Sequence, residues 1–445
     1  MTPIPLPENE LTGLEELING DLWQRFVSEG KVFPIDSVVG NSSYLRLKPS
    51  SSCRIFIQGV DRHTATTPPQ GFLLHLFADL QRTKTAFAKE QTRRHLVGED
   101  GFGPFIDEAS CLIGVPFPND PEIPDLRHIY TPDRFRRTLS DLLPEYPKEE
   151  WRIQRSLTKL TLLAYKPGRR AVFRIKLKLR RRSGDEKVRV LLHVKVEHPD
   201  AAAQSAKNLE EILGVHSIGH HLKIPAYRGH SNSRTLCASE WIDGSEVSFS
   251  IDENPGEIDL SREIGRALGE LHGMKAELEH HRSPVEEGDS LVDLCTNIAE
   301  LHPDSSPLLA EISRRLPAAL SQLVTESSVT AHGDLHLGQI LLRGGEPVLV
   351  DFDRAGRGYA ALDLGSLIED LHRSGCHEGL ATGLLDGYRE TARLPVPQHL
   401  LLLGQAVFTL RGAIEPLRRL RVDWRDRLTR SLQRVQTLLE EGNSP

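Results

Sequence analysis

Apolar positions follow two rhythms along the 445-residue chain, and the places where one gives way to the other mark its elements. At the start, Leu11, Leu14, Leu17, Ile18 and Leu22 fall at helical spacing with a break at Gly20. YLRLKPSSSCRIFIQGV (44–60) then reads as two β-like runs about a Lys-Pro-Ser turn. The Pro- and Gly-rich passage 98–128 predicts irregular connection rather than sheet, and 132–143 a short amphipathic helix. Strand patterning returns in WRIQRSLTKLTLLAY, AVFRIKLKL and VRVLLHVKV, joined by Lys166-Pro167-Gly168-Arg169 and the polar loop 180–187. Helical spacing follows at 200–217, a strand ending in a Gly turn at 234–247, and a helix at 264–274. The runs 339–342 and 347–352, parted by Arg343-Gly344-Gly345-Glu346, carry a hairpin signal. Beyond residue 360 the pattern is amphipathic helix, with two helices over 398–440. Strands and helices segregate, so the expected class is α+β.

The first two β-rich stretches are related. Shifting the chain by 118 residues superposes 44–93 on 162–211 with about ten identities, among them Lys48/Lys166, Pro49/Pro167, Leu73/Leu191, His75/His193 and Lys89/Lys207. The chain is therefore expected to hold two copies of a small β-rich lobe. At this offset Lys195 of the second copy faces Phe77 of the first. Expected boundaries are a helical segment 1–30, a first lobe with its connector 31–150, a second lobe 151–243, and a helical lobe 244–445.

Net charge narrows the function classes. At −7 with a pI near 6.3, the chain is not expected to bind nucleic acid. No apolar run approaches a membrane span, the N-terminus lacks a leader pattern, and five scattered cysteines show no ligand spacing, so a cytoplasmic protein with no membrane partner is expected. Charge is uneven. Eleven Lys/Arg stand against two Asp/Glu over 166–189, and fifteen Asp/Glu against four Lys/Arg over 243–300. The first stretch suits phosphates and the second tolerates cations; both also fit solvated faces.

Candidate chemistry concentrates in AHGDLHLGQILLRGGEPVLVDFDRAGRGYAALDLG (331–365). A hairpin turn near Gly344-Gly345 is expected to set Gln339 opposite Asp351, placing an amide oxygen and a carboxylate together as hard ligands for Mg2+. Asp334, in the loop before, is placed to accept a hydroxyl proton.

HGDLHLGQIL followed by LVDFD resembles the catalytic and metal-binding loops of the aminoglycoside phosphotransferase family, small-molecule kinases with a bilobal protein-kinase-like fold. The resemblance implies Asp334 as base, His332 as a brace for its loop, Asp363 as a brace for the next helix, and Asp351, with Asp353 as a possible second, as metal ligands. Gln339 stands where the family usually has Asn; maltokinase-like members are similar in carrying HLGQ. By the same resemblance Lys195 holds ATP phosphates, Glu210 or Glu211 pairs with it, and the backbone of Glu240, Trp241 and Ile242 holds adenine. Phe77 cannot neutralise phosphate, so the extra N-terminal lobe reads as a degenerate repeat of the kinase amino-terminal lobe. The first turn is not GxGxxG, which leaves Arg169 and Arg170 as phosphate contacts or as simply exposed. His272 reads as a packed core residue. The implied activity is ATP- and Mg2+-dependent phosphoryl transfer to a hydroxyl of an aminoglycoside, a sugar, a related metabolite or a peptide precursor. The competing reading is a pseudokinase-like module that binds nucleotide or recruits a biosynthetic partner.

Overall fold

The computed structural model describes residues 11–59, 70–96, 101–131, 135, 138–139, 142–154, 158–215, 220–231, 235–252, 254–281, 283–392 and 395–442. It divides into two compact units, Met1–Ala203 with Arg228–Trp241 and Glu415–Trp424, and Gln204–Tyr227 with Ile242–Ile414 and Arg425–Pro445. Most of the helix expected over 132–143 lies outside the described residues; Phe135 and Leu139, which are described, are buried.

The first unit opens with α1 (Leu14–Asn19) and α2 (Asp21–Ser28), separated by Gly20 at φ 96°, a left-handed conformation that glycine takes without steric cost. Two antiparallel sheets follow. The first joins β1 (Ser42–Lys48), β2 (Ser52–Gln58), β3 (Gly71–Phe77), β4 (Phe105–Asp107) and β5 (Leu112–Pro116) in the order β1-β2-β3-β5-β4, with α3 (Leu80–Thr92) after β3. Passage 98–128 was expected to be irregular, yet it supplies β4 and β5. Its Pro and Gly bound strands of three and five residues, and β5 is buried along its whole length. Burial of that short apolar run outweighs the flanking turn signals.

The second sheet contains β6 (Trp151–Ile153), β7 (Lys159–Lys166), β8 (Arg170–Arg181), β9 (Lys187–Glu197), β10 (Tyr227–Ser231) and β11 (Leu236–Glu240), with α4 (Pro199–Val215) after β9. Its order is β10-β11-β9-β8, with β6 and β7 both pairing β8. β7-β8-β9-α4-β10-β11 thus repeats the connectivity of β1-β2-β3-α3-β4-β5, strand for strand. Registers refine the match. Lys48 pairs Ser52 as Lys166 pairs Arg170, which keeps the offset of 118, but Cys53 pairs Leu76 while Ala171 pairs Val196, which moves the third strand to 120. The Phe117 N–H donating to Gly71 O (2.8 Å) recurs as the Trp241 N–H donating to Leu191 O (3.3 Å), again 120 apart on the accepting strand. Lys195 therefore corresponds to His75, not Phe77. An ungapped comparison carries 118 through a connection whose length the fold leaves free; with 120 carried into the helix, Glu90 takes the place of Glu210.

The two sheets meet at the β7–β8 turn. Asp120 Oδ2 accepts from Tyr165 Oη (2.6 Å) and from the Gly168 N–H (2.7 Å), and Arg54 pairs with Glu122. A Cβ at Gly168 would collide with the Arg54 and Glu122 side chains, and its φ of 66° is itself one that favours glycine.

The second unit holds α5 (Pro255–Gly273), α6 (Pro284–Leu301), α7 (Ser306–Leu320), α8 (Ala360–Arg373), α9 (Glu378–Thr391), α10 (Gln398–Gly412) and α11 (Trp424–Glu441), of which α5 and α8 pack on a small β core. That core is β12 (Ser245–Glu246) on the hairpin β14 (Ile340–Arg343) and β15 (Glu346–Leu349), with β13 (Val329–Ala331) paired to β16 (Gly356–Gly358). α5 and α9 touch backbone to backbone: a Cβ at Gly387 would collide with Arg262 O. Contrary to the expectation that no run approaches a membrane span, Gln398–Arg418 passes by length and composition at a mean hydropathy of 1.3; 67% of it is buried, as suits a core helix.

Candidate active site

The site begins with a turn. Gly344 and Gly345 both take positive φ (61° and 91°), as a two-residue hairpin turn requires, and Arg343 pairs Glu346. Ile340 then faces Leu349, and the Val350 N–H donates to Gln339 O at 3.0 Å. Gln339 therefore stands opposite Val350, one residue short of the expected Asp351. Its longer side chain makes up the difference, since Gln339 Nε2 lies 3.3 Å from Asp351 Oδ2. Asp351 sits at φ 67°, ψ 57°, a left-handed backbone uncommon for a residue with a Cβ and recurrent at functional sites. That conformation turns Phe352, Asp353 and Arg354 back in a single 3-10 turn, where Asn208 of α4 donates to the carbonyls of Phe352, Asp353 and Ala355. Asp353 is half-buried in this turn.

The loop carrying Asp334 is held from beneath. His332 is fully buried, and its Nε2–H donates to Val350 O (2.9 Å), tying the loop to the strand that ends in Asp351. Asp363 of α8 accepts the His332 N–H at 2.6 Å and the Gly333 N–H at 2.9 Å. Asp363 thus braces the loop bearing Asp334 from its helix, rather than only the helix itself. Its Oδ2 also faces His272 Nε2 (3.2 Å), whose Nδ1 lies 3.0 Å from Tyr388 Oη. Burial alone would raise the Asp363 pKa. Donation from His272, the nearby imidazoles and the Gly333 amide outweigh it and hold the carboxyl below its ordinary range. Tyr388 is pushed up, by burial and then by the Asp363 charge. Asp334 itself is half-exposed at the loop tip, 3.2 Å from Arg354 Nη1.

The remaining candidates belong to the first unit or to α4, except Ile242, with which the second unit resumes. Lys195 is 8% exposed in β9, between Val172 and Cys237 on the neighbouring strands. Arg170 begins β8 opposite Glu197, half-buried. Trp241 follows β11 with the Arg174 guanidinium 5.3 Å over its ring, and its N–H is taken by Leu191 O. Ile242 is buried, Glu240 is half-buried, and Glu210 is exposed on α4. Three residues escaped sequence reasoning: Asn208, His336, whose ring reaches the Gln339 amide, and His272 as a member of the Asp363 network. Only the position of His336 inside the HLGQ motif was a signal. His272 and Asn208 acquire their roles from contacts across 91 and about 145 residues.

Among the described residues no group of three or more His, Cys, Asp and Glu is placed to hold a metal ion. The Gln339 amide and the Asp351 carboxylate are in contact instead, and with the amide oxygen turned inward they would be two hard donors of the kind that fits Mg2+, which takes one or two protein ligands and completes its shell with phosphate and water.

The profile of the phosphotransferase enzyme family matches residues 166–396, from the β7–β8 turn through the loops just described. The chain belongs to that family. It is a phosphotransferase. No curated sequence matches the chain. Similar solved structures include a choline/ethanolamine kinase family protein from Mesorhizobium loti (18% identity, 63% of this chain and 88% of that one, TM-score 0.43). A choline kinase from Cryptosporidium parvum is 12% identical over 70% and 97% of the two chains (TM-score 0.48). A macrolide 2'-phosphotransferase from Brachybacterium faecium is 17% identical over 70% and 98% (TM-score 0.41).

Proposed function

We propose that this phosphotransferase moves the γ-phosphoryl group of ATP, with Mg2+, to a hydroxyl of a neutral or weakly charged small molecule such as a sugar-bearing metabolite. The observation that carries the reading is one loop pair: Asp334 at the tip of a loop held by Asp363, next to Gln339 and Asp351 3.3 Å apart. Asp334 takes the hydroxyl proton as the oxygen attacks phosphorus and the bond to ADP breaks. Gln339 and Asp351, with Asp353 as a second carboxylate, would hold the ion, which neutralises phosphate charge when bound. Lys195 and Arg170 of the first unit are the phosphate contacts in this reading. With the Trp241 N–H committed to Leu191 O, the base-recognising donor is the Ile242 N–H, and Glu240 and Trp241 offer carbonyls. Positioning and charge neutralisation supply most of the rate in such transfers.

The acidity of 243–300 supports a polycationic acceptor less than its count suggests. Glu257 accepts from Ser250, Glu263 pairs with Arg266, Glu270 accepts two backbone N–H groups, Glu286 closes a helix-capping box and Glu287 pairs with Arg411. These carboxylates serve the fold. The test is ADP release from Mg-ATP over pooled sugars, aminoglycosides, amino alcohols and hydroxy amino acids, with Asp334→Ala as control. Release in the sugar pool, absent from the variant, supports the reading; release only with aminoglycosides overturns the acceptor class, and turnover by Asp334→Ala overturns the base.

A further inference from the structure

The Gln339 amide lies between two neighbours that make opposite demands. His336 caps the short Leu337–Gln339 turn, its Nδ1 accepting from the Gly338 N–H at 3.1 Å. That nitrogen carries the lone pair, so the ring hydrogen sits on Nε2. His336 Nε2 is 3.1 Å from Gln339 Nε2, and the same amide nitrogen is 3.3 Å from Asp351 Oδ2. Toward Asp351 the NH2 group is a good donor; toward His336 it sets donor against donor. A half-turn of the amide reverses both relations. Its oxygen then accepts from the His336 Nε2–H and stands about 3.3 Å from a carboxylate oxygen, which is repulsive unless a cation lies between them. Two adjacent oxygen ligands of octahedral Mg2+, each about 2.1 Å from the ion, stand about 3 Å apart. The spacing already present is the spacing the ion needs.

We propose that His336 is a positioning residue that turns the Gln339 amide oxygen toward the metal and holds it there, so that Gln serves as a ligand through a partner on its far side. The proposal rests on the metal reading of the Gln339–Asp351 pair. It gives the extra methylene of Gln a use: the longer arm brings the amide to His336 and Asp351 at once. Donation from the ring also polarises the amide carbonyl and strengthens it as a ligand, as partners behind metal ligands generally do.

The decisive variant is His336→Asn. An Asn side-chain oxygen can still accept the Gly338 N–H, so the cap is kept while the Nε2–H is lost. Mn2+ binding to the full-length protein with ATP and no acceptor, read by electron paramagnetic resonance of free Mn2+, is expected to weaken tenfold or more. In a Gln339→Ala background the same change is expected to add less than twofold, because His336 acts through Gln339. Thermal midpoints without metal, equal for wild type and His336→Asn, show that the loop is intact; if that variant is unstable, Gln339→Asn, too short to reach both partners, is expected to show the same loss. Wild-type Mn2+ affinity in His336→Asn, or an equal loss in the Gln339→Ala background, overturns the proposal and leaves the site reading standing. Failure of the wild type to bind Mn2+ with ATP overturns both.

Discussion

Replacing Asp363 by Asn changes one atom type and tests whether the loop bearing Asp334 is held by charge. The carboxylate accepts the His332 N–H and the His272 Nε2–H on one oxygen and the Gly333 N–H on the other, and the residue is 2% exposed. An Asn amide keeps its oxygen for the first pair and turns its NH2 toward the Gly333 N–H. Hydrogen bonds to a charged group contribute about 1.5–3 kcal/mol against about 1 for neutral ones, and an orphaned buried donor costs about 1–3 kcal/mol. The sum is about 3–5 kcal/mol, or on the order of 10 °C in thermal midpoint for a unit of on the order of 200 residues. Differential scanning calorimetry reads the midpoint, and hydrogen exchange at the His332 and Gly333 amides reads the loop. kcat should fall by roughly 100-fold or more as Asp334 leaves its place, with Mg-ATP affinity within about threefold of wild type. The pH dependence carries its own sign. Because the native pKa of Asp363 lies below its unfolded value, its stabilisation is complete above that unfolded value of about 4 and is lost as pH falls through the native one. The gap between wild type and Asp363→Asn is therefore expected to be flat from pH 5 to 8 and to narrow below about pH 4. An unchanged midpoint with unchanged exchange at His332 and Gly333 refutes the account.

Three further outcomes are expected. Asp351→Asn removes the charge of a proposed ligand and should raise the Mn2+ dissociation constant measured with ATP by about tenfold or more while leaving the fold intact by circular dichroism. Asp120→Asn leaves a neutral oxygen to accept from both Tyr165 Oη and the Gly168 N–H, and sets its NH2 against the Glu122 N–H that Oδ1 accepts at 2.9 Å; a loss of about 2 kcal/mol is expected in urea titration, together with weaker Mg-ATP binding as the β7–β8 turn loosens. His75 is driven down to about 2 by burial and by Arg54, Arg46 and Lys48, so the unfolded chain takes up a proton near pH 6.5 that the native one refuses. Stability contributed by this site is present above pH 6.5 and lost as pH falls, at up to about 1.4 kcal/mol per pH unit; His75→Gln should flatten the urea midpoint between pH 6.5 and 5.

What was legible in the sequence follows the range over which each feature is decided. The Gly20 break, the Gly344-Gly345 turn and the amphipathic helices depend on neighbours a few residues apart, and the structure has them. β4 and β5 were missed because three- and five-residue strands between prolines and glycines carry too few positions for a period to show. The glycines of α9 that let it touch α5 read only as poor helix formers, since the backbone they meet lies more than a hundred residues away. The repeat was visible as identities, but its register was not, because an offset read without gaps cannot change where a connection changes length.

The site shows the same division more finely. Residue types and spacing were enough to set Gln339 beside Asp351, yet the expected pairing was one residue off, and that residue sets which side chain can reach. Opposite Asp351, an Asn would have the reach to meet the carboxylate. Opposite Val350, the shorter arm falls short and Gln is the side chain that closes the gap. Its second methylene also gives the amide freedom that an Asn lacks, and His336 is the group within reach to remove it. In the proposed reading Gln339 is thus matched by the register of the hairpin and by the ring three residues upstream, which together give the longer arm its use.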